Sequence, residues 1–212
     1  MNRRLTLLVL PLLLLVVAGC TAGKADDEPA PRPPAAAERP SPFRDCSKLG
    51  TAPTSTATTA PTTTGTTAAA GGQALPELTL SCFTGGAPVA LRDVAGPAVI
   101  NVWASWCGPC RKELPAFQRL SERTAGQLQV VGVNTRDSRG GAQSIGEDFG
   151  VRFPILVDQG DALQRELKRN AFPLTLFVDA QGQIRHIDAT GALDDAQLAK
   201  LVRQHLGLAV PA

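Results

Sequence analysis

The chain has 212 residues, enough for one ordinary domain with extensions and too few for two large ones. Apolar residues make up 43%, which supports a packed core, but aromatics are only 4% and Tyr is absent, so Leu, Val and Ala must do most of the packing. A formal charge of +2 with no long run of one sign gives no basis for nucleic-acid binding.

Arg3 and Arg4 precede an apolar stretch from Leu5 to Ala18, interrupted only by Thr6 and Pro11. This is short of the roughly 20 residues of a spanning helix. It has the order of a signal peptide: a basic start, an apolar middle and a small-residue end. The ending Val17-Ala18-Gly19-Cys20 resembles a bacterial lipobox. That resemblance implies loss of residues 1–19, acylation of the Cys20 thiol and attachment to the outer face of the cell membrane. An ordinary secretory signal with an incidental Cys, or an uncleaved anchor, is the competing reading.

Residues 20–74 turn to Ala, Pro, Thr and Gly, most extremely over Thr51 to Gly72. Such a composition buries too little apolar surface to offset its ordering entropy, so the segment reads as a flexible tether. A coil of about 50 residues spans on the order of 40 Å, enough to hold a domain clear of a membrane. One island, Phe43 to Leu49, is less repetitive and contains Cys46.

From Leu75 to the C-terminus the pattern is that of one globular domain, 75–212. Leu78–Leu80 and Val89–Leu91 flank Gly85-Gly86, predicting a short hairpin. Ala98 to Trp103 reads as a buried strand. A helix follows from about Pro109 to Thr124, with Leu114, Phe117 and Leu120 on one face. Next come a buried strand over 129–133, a helix over 140–149, a short strand over 153–157 and a helix over 162–169. Leu174–Val178 and Gln183–Ile187, joined by Asp179-Ala180-Gln181-Gly182, make a second hairpin. A last helix starts near Asp194 and runs to about Leu206. Strand–helix–strand–helix–strand followed by a hairpin and a closing helix predicts an α/β fold, a central mixed sheet flanked by helices.

Cys107 and Cys110 fall where the 98–103 strand gives way to a helix. Free backbone N–H groups and the positive dipole end at a first helical turn stabilise an anion, and the thiolate is the reactive form of cysteine. Cys107 at the lip is the expected nucleophile. Cys110, within one turn, is placed to attack a mixed disulfide and release a reduced client. Pro109 stiffens the turn without costing a helix hydrogen bond. A structural disulfide or half a zinc site are the alternatives. Zinc needs about four ligands, and neither a second CxxC nor a suitable spacing of His186 and His205 supplies them.

Residues from about Leu75 to Leu208 resemble the membrane-tethered thioredoxin-like proteins of the TlpA/ResA type. The resemblance rests on Trp103-Ala104-Ser105-Trp106-Cys107-Gly108-Pro109-Cys110-Arg111-Lys112-Glu113-Leu114-Pro115, on the Val130–Asn134 strand and on Phe172-Pro173-Leu174-Thr175-Leu176-Phe177-Val178-Asp179. It implies a thioredoxin-like fold with an N-terminal β-hairpin extension, and a thiol–disulfide oxidoreductase that needs no cofactor beyond its own Cys107–Cys110 pair. Glu113 would tune the thiols and accept protons; a solvated helix carboxylate beside Lys112 is the alternative. Pro115 is a family feature inside the helix. Pro173 would be a cis-proline facing the cysteines, with a trans proline opening an edge strand as the alternative. Trp106, Gly108, Pro109 and Phe172 would line the client site, and Phe172 is bulkier than the Thr, Val or Ile expected there. Asp137 matches a position often acidic in the family, but a solvated loop Asp is at least as good a reading, so it is left out of the candidates. His186 and His205 read as surface residues.

Of five cysteines, Cys20 is assigned to lipid and Cys107 with Cys110 to chemistry. The remaining Cys46 and Cys82 suggest a disulfide in an oxidising compartment, against two free thiols or an intermolecular link. The favoured activity is reduction of disulfides in exported proteins, with apocytochrome c as the client the resemblance implies and a membrane thiol donor of CcdA/DsbD type. A disulfide-forming oxidase or isomerase differs only in direction. A Cu(I) metallochaperone using the same two thiolates is the reading from another class, and a peroxidase would call for an isolated peroxidatic Cys.

Overall fold

The computed structural model describes residues 39–53 and 72–211. The expected signal peptide, Cys20 and residues 21–38 and 54–71 of the tether lie outside the described residues.

Alternation of side chains along the strands builds the core. The strands are β1 (Gln73–Ala74), β2 (Thr79–Cys82), β3 (Val89–Ala90), β4 (Ala98–Trp103), β5 (Gln129–Thr135), β6 (Ile155–Asp158), β7 (Leu174–Val178) and β8 (Gln183–Asp188). They form one sheet in the order β1-β8-β7-β4-β5-β6-β2-β3. β4, β5 and β6 run parallel, whereas β7 is antiparallel to β4 and to β8. Every residue of β4 is buried, as expected of a central strand covered on both faces. Ala98, Ile100 and Val102 point to one side, and Val99 and Trp103 to the other.

The helices are α1 (Gly108–Arg123), α2 (Arg139–Asp148), α3 (Ala162–Glu166) and α4 (Asp195–Leu206). Leu114, Phe117 and Leu120 of α1, Ala142 of α2 and Leu198 and Val202 of α4 pack on the Val99/Trp103 face. Leu163 and Leu167, at and beyond α3, and Leu91 of a short 3-10 turn cover the other. Each buried Leu, Phe or Val among these contributes about 1.5–3 kcal/mol. Asp194 caps α4 through its bond with the Gln197 N–H, and the Gln197 side chain returns a bond to the Asp194 N–H, a complete capping box. Pro115 lies within α1 without ending it.

The expected N-terminal β-hairpin is present as β2–β3 and extends the sheet, because β2 also pairs with β6. Two features depart from the sequence expectations. α3 stops at Glu166 rather than Arg169. There Lys168 takes φ 53, with its N–H bonded to the Arg165 carbonyl and the Arg169 N–H to the Gln164 carbonyl, a Schellman stop with Lys in the left-handed position. Finally, residues 39–53, assigned to the tether by composition, pack against the domain and belong to the same compact unit. Phe43, Cys46 and Leu49 are buried. Phe43 meets Phe83 edge-on at 4.8 Å and lies so close to α2 that a Cβ at Gly146 would sit 2.5 Å from its ring. Polar links add to this: the Gln143 amide donates to the Arg39 and Pro40 carbonyls, and the Gln129 amide to those of Leu49 and Thr51. Three apolar anchors in an otherwise small and polar stretch supply the burial that composition averaged away.

Cys46 and Cys82 form a disulfide with a Cα–Cα distance of 5.9 Å. It ties the 43–49 island to β2 across 36 residues of sequence.

Candidate active site

β4 ends at Trp103, and the turn Ala104-Ser105-Trp106 delivers Cys107 to the N-cap of α1. Cys107 has extended backbone (φ −81, ψ 105), and its Sγ accepts the Cys110 N–H at 3.2 Å. The sulfur therefore occupies the place of a capping oxygen, against the free N–H groups of the first turn. Cys107 and Cys110 are joined as a disulfide with Cα atoms 5.3 Å apart. Cys107 is 5% exposed and Cys110 fully buried, which orders the pair into an outer and an inner sulfur. Gly108 and Pro109 are exposed, and a Cβ at Gly108 would meet nothing within 4 Å, so this side of the turn is open.

Trp106 is the most exposed large apolar residue among those described, at 57%. Its ring meets Phe172 edge-on at 5.1 Å, and its indole N–H donates to the Arg136 carbonyl at 3.0 Å. The Arg136 guanidinium lies 5.1 Å from the centre of the Phe172 ring. Phe172–Pro173 is a cis peptide bond, as expected from the resemblance, and Gly96–Pro97 is a second one. Trp106, Cys107, Phe172 and Pro173 thus converge at one lip.

Glu113 is 1% exposed, which excludes the solvated alternative. Its Oε1 accepts the Asn101 amide at 2.6 Å and its Oε2 the Leu193 N–H at 3.1 Å. Burial pushes its pKa up to about 7; the two hydrogen bonds oppose that shift, and nearby Asp188 adds to it. Glu113 sits three residues beyond Cys110 on the same buried face of α1. A carboxyl poised near neutral pH in that place suits proton exchange with a thiol.

Two contributors stand outside the sequence candidates: Asn101, which the sequence reading passed over, and Asp137, which was weighed against a solvated loop Asp and left out. Asn101, within the otherwise apolar β4, presents its amide to Glu113 and leaves its Oδ1 buried without a partner among the described residues; a lone polar residue in a buried strand was the available signal. Asp137 binds the Ser105 N–H at 2.5 Å, the Ser105 hydroxyl at 2.6 Å, the Asn134 amide at 2.8 Å and the Ser138 N–H at 2.8 Å. It clasps the turn before Cys107 to the loop after β5. Its partner Ser105 is 32 residues away, so spacing held no trace of this role, and the family resemblance at this position was the available signal. His186 and His205 are half-buried rather than simply at the surface, stacked on each other at 4.1 Å beside Phe177. Burial and the neighbouring imidazole lower the His205 pKa.

The profile of the AhpC/TSA family matches residues 71–187. The thioredoxin-like protein YneN of Bacillus subtilis is 32% identical over 120 residues, covering 55% of this chain and 69% of YneN. The thiol-disulfide oxidoreductase ResA of Geobacillus thermodenitrificans is 30% identical over 141 residues, 66% of this chain and 78% of ResA. Among solved structures, a DsbF homologue from Corynebacterium diphtheriae superposes with a TM-score of 0.55 at 26% identity, covering 62% of this chain and 85% of that one. With a family match over more than half its length and a helix-capping cysteine pair beside a cis-proline, the chain belongs to the thioredoxin-like AhpC/TSA family as a thiol–disulfide oxidoreductase.

Proposed function

We propose that the chain reduces disulfides in exported proteins at the outer face of the bacterial cell membrane, with Cys107 as nucleophile and Cys110 as resolving thiol. The observation that carries this reading is the placement of Cys107 at the N-cap of α1, bonded to the buried Cys110 and flanked by Trp106 and the cis-Pro173. In the reduced protein the first turn of α1 favours the Cys107 thiolate. That thiolate attacks one sulfur of a client disulfide; the client's second sulfur leaves as a thiolate, and a mixed disulfide forms. Cys110 loses its proton and displaces the client sulfur from Cys107, forming the Cys107–Cys110 bond and releasing a client dithiol. Two electrons have passed to the client, so a thiol donor must return two to this pair. Glu113, one turn beyond Cys110 with a pKa of about 7, takes the Cys110 proton. The client backbone lies extended against Phe172, in the manner of an added strand, over the open face at Gly108 and Pro109.

The relatives support thiol–disulfide exchange as the chemistry: they include several proteins named thiol-disulfide oxidoreductase ResA and a Pseudomonas fluorescens protein named thiol:disulfide interchange protein DsbE, 31% identical over 116 residues. The reductive direction and the cytochrome c client follow from the resemblance to the TlpA/ResA type. Clients are exported proteins with paired cysteines, apocytochrome c among them, and the donor is a membrane protein of CcdA/DsbD type. The N-terminal sequence supplies export and, through Cys20, a lipid anchor, with the Ala/Pro/Thr-rich segment as tether. No helix among the described residues is long and apolar enough to cross a membrane. Trapping clients with Cys110→Ser in the native cells tests the proposal. Cytochrome precursors in mixed disulfides with Cys107 support it; a broad set of secreted proteins that lack their disulfides when the gene is deleted contradicts it in favour of disulfide formation.

A further inference from the structure

Beside the active-site lip is a cleft of about 360 Å³, lined by Arg136, Asp161, Gln164, Arg165, Lys168 and Arg169 with Asn170. Four cations face one carboxylate here, in a chain whose formal charge is only +2. Asp161 pairs with Arg165 and stands 3.9 Å from Arg136, whereas Lys168 and Arg169 are exposed and make no ion pair among the described residues.

The backbone singles out the same cleft. Arg136 at φ 49 and Lys168 at φ 53 are the two non-glycine residues with positive φ among those described, and both line it. A left-handed conformation is unfavourable for a residue with a Cβ and persists where the surroundings impose it, commonly at functional sites. At Lys168 it forms the Schellman stop of α3 and turns Lys168 and Arg169 out beside the cleft. At Arg136 the residue's carbonyl accepts the Trp106 indole N–H.

The cleft is continuous with the lip. The buried Gln164 side chain donates to the Ala171 carbonyl at 2.8 Å, next to Phe172, and accepts from Arg136 at 3.5 Å, while Arg136 covers the Phe172 ring. A polypeptide laid across Phe172 toward Cys107 would pass this basic wall.

We propose that the cleft of Arg136, Lys168 and Arg169 is a docking subsite for an acidic segment of the client, flanking the cysteine that Cys107 attacks. The cleft has room for a few side chains, not for a folded surface, so its occupant is a short Asp/Glu-bearing stretch of extended chain. Guanidinium and ammonium groups here pair with carboxylates, and such complementarity adds specificity and on-rate. This rests on the reductase reading above, and its test separates the two.

Docking is read without chemistry, by fluorescence anisotropy of the intact oxidised protein with a labelled peptide of about twelve residues. The peptide carries Ser in place of both cysteines and Asp/Glu beside them; a matched peptide carries Asn/Gln. The acidic peptide should bind about tenfold more tightly at low salt, and most of that preference should vanish at 0.5 M salt, roughly. The double variant Lys168→Gln, Arg169→Gln should bring the ratio close to one. Lys168→Gly relieves the left-handed backbone, so it should melt no lower than the parent protein while weakening acidic-peptide binding several-fold. That opposition is not expected of a residue whose role is only structural. Equal binding of the two peptides by the parent protein, or a preference that survives the double variant, overturns the subsite. Failure to reduce the cysteine-containing versions of both peptides instead overturns the reductase reading, whatever the anisotropy shows.

Discussion

Two disulfides of nearly equal burial do different things in this molecule. Cys107 and Cys110 are 5% and 0% exposed, Cys46 and Cys82 7% and 5%, so access alone does not separate them. Their surroundings do. Cys107 caps a sixteen-residue helix, next to a 57% exposed Trp and a cis-proline, with a protonatable Glu113 behind. Cys46 sits in an irregular island and Cys82 in the short strand β2, where neither has a helix N-terminus or an ionisable neighbour hydrogen-bonded to it. The first bond spans three residues and constrains little; the second spans 36 and closes a large loop. A disulfide's role is thus read from the dipole beside it and the chain it closes, more than from its depth.

The largest expected effect breaks the active pair. Cys107→Ser should lower kcat/KM for disulfide reduction by at least about a thousandfold, while Cys110→Ser should accumulate mixed disulfides, visible by non-reducing electrophoresis. The other bond should behave oppositely. Replacing both Cys46 and Cys82 by Ala should cost roughly 3–4 kcal/mol of stability in the chain-entropy account, read as a lower denaturation midpoint, and leave the Cys107 alkylation rate of the folded protein unchanged.

Glu113 sharpens the comparison through pH. Its native carboxyl holds its proton up to about pH 7, whereas its ordinary value is 4.5. Between those values the native state binds the extra proton, so stability should fall as pH rises through this window and level off above it, by up to about 3 kcal/mol. Glu113→Gln should remove that slope in denaturation curves taken from pH 4 to pH 8, roughly, and remove any limb near neutrality from the pH–rate profile of reduction. The Cys46–Cys82 double variant should retain both. Smallest is Asp137→Ala. Losing the acceptor for Ser105, Asn134 and Ser138 should cost about 1–2 kcal/mol and slow reduction several-fold, because the turn carrying Cys107 is no longer held.

Much of this was legible in residue order because it is local. The 98–103 strand, the helix starting beside Cys107 and the 174–188 hairpin follow from periodicity and turn residues within a dozen positions. The cysteine pair and Glu113 belong to one helix, so spacing alone placed them together. What escaped was non-local or averaged out. Asp137 reaches Ser105 across 32 residues, and Asn101 reaches Glu113 across the strand–helix layer. The 39–53 segment was masked by its small and polar neighbours, and its three anchors gain meaning only against Phe83 and α2. The basic cleft is assembled from the loops after β5 and α3, which no window of sequence joins.

The pH dependence of alkylation at Cys107 in the reduced protein tests the central claim most directly. With iodoacetamide at limiting amounts, and the modified residue identified by mass spectrometry, label should fall on Cys107 before Cys110, with a half-maximal rate well below the free thiol's pH of about 8.5. Label shared between the two cysteines, with a midpoint at or above the free-thiol value, would contradict a helix-activated nucleophile.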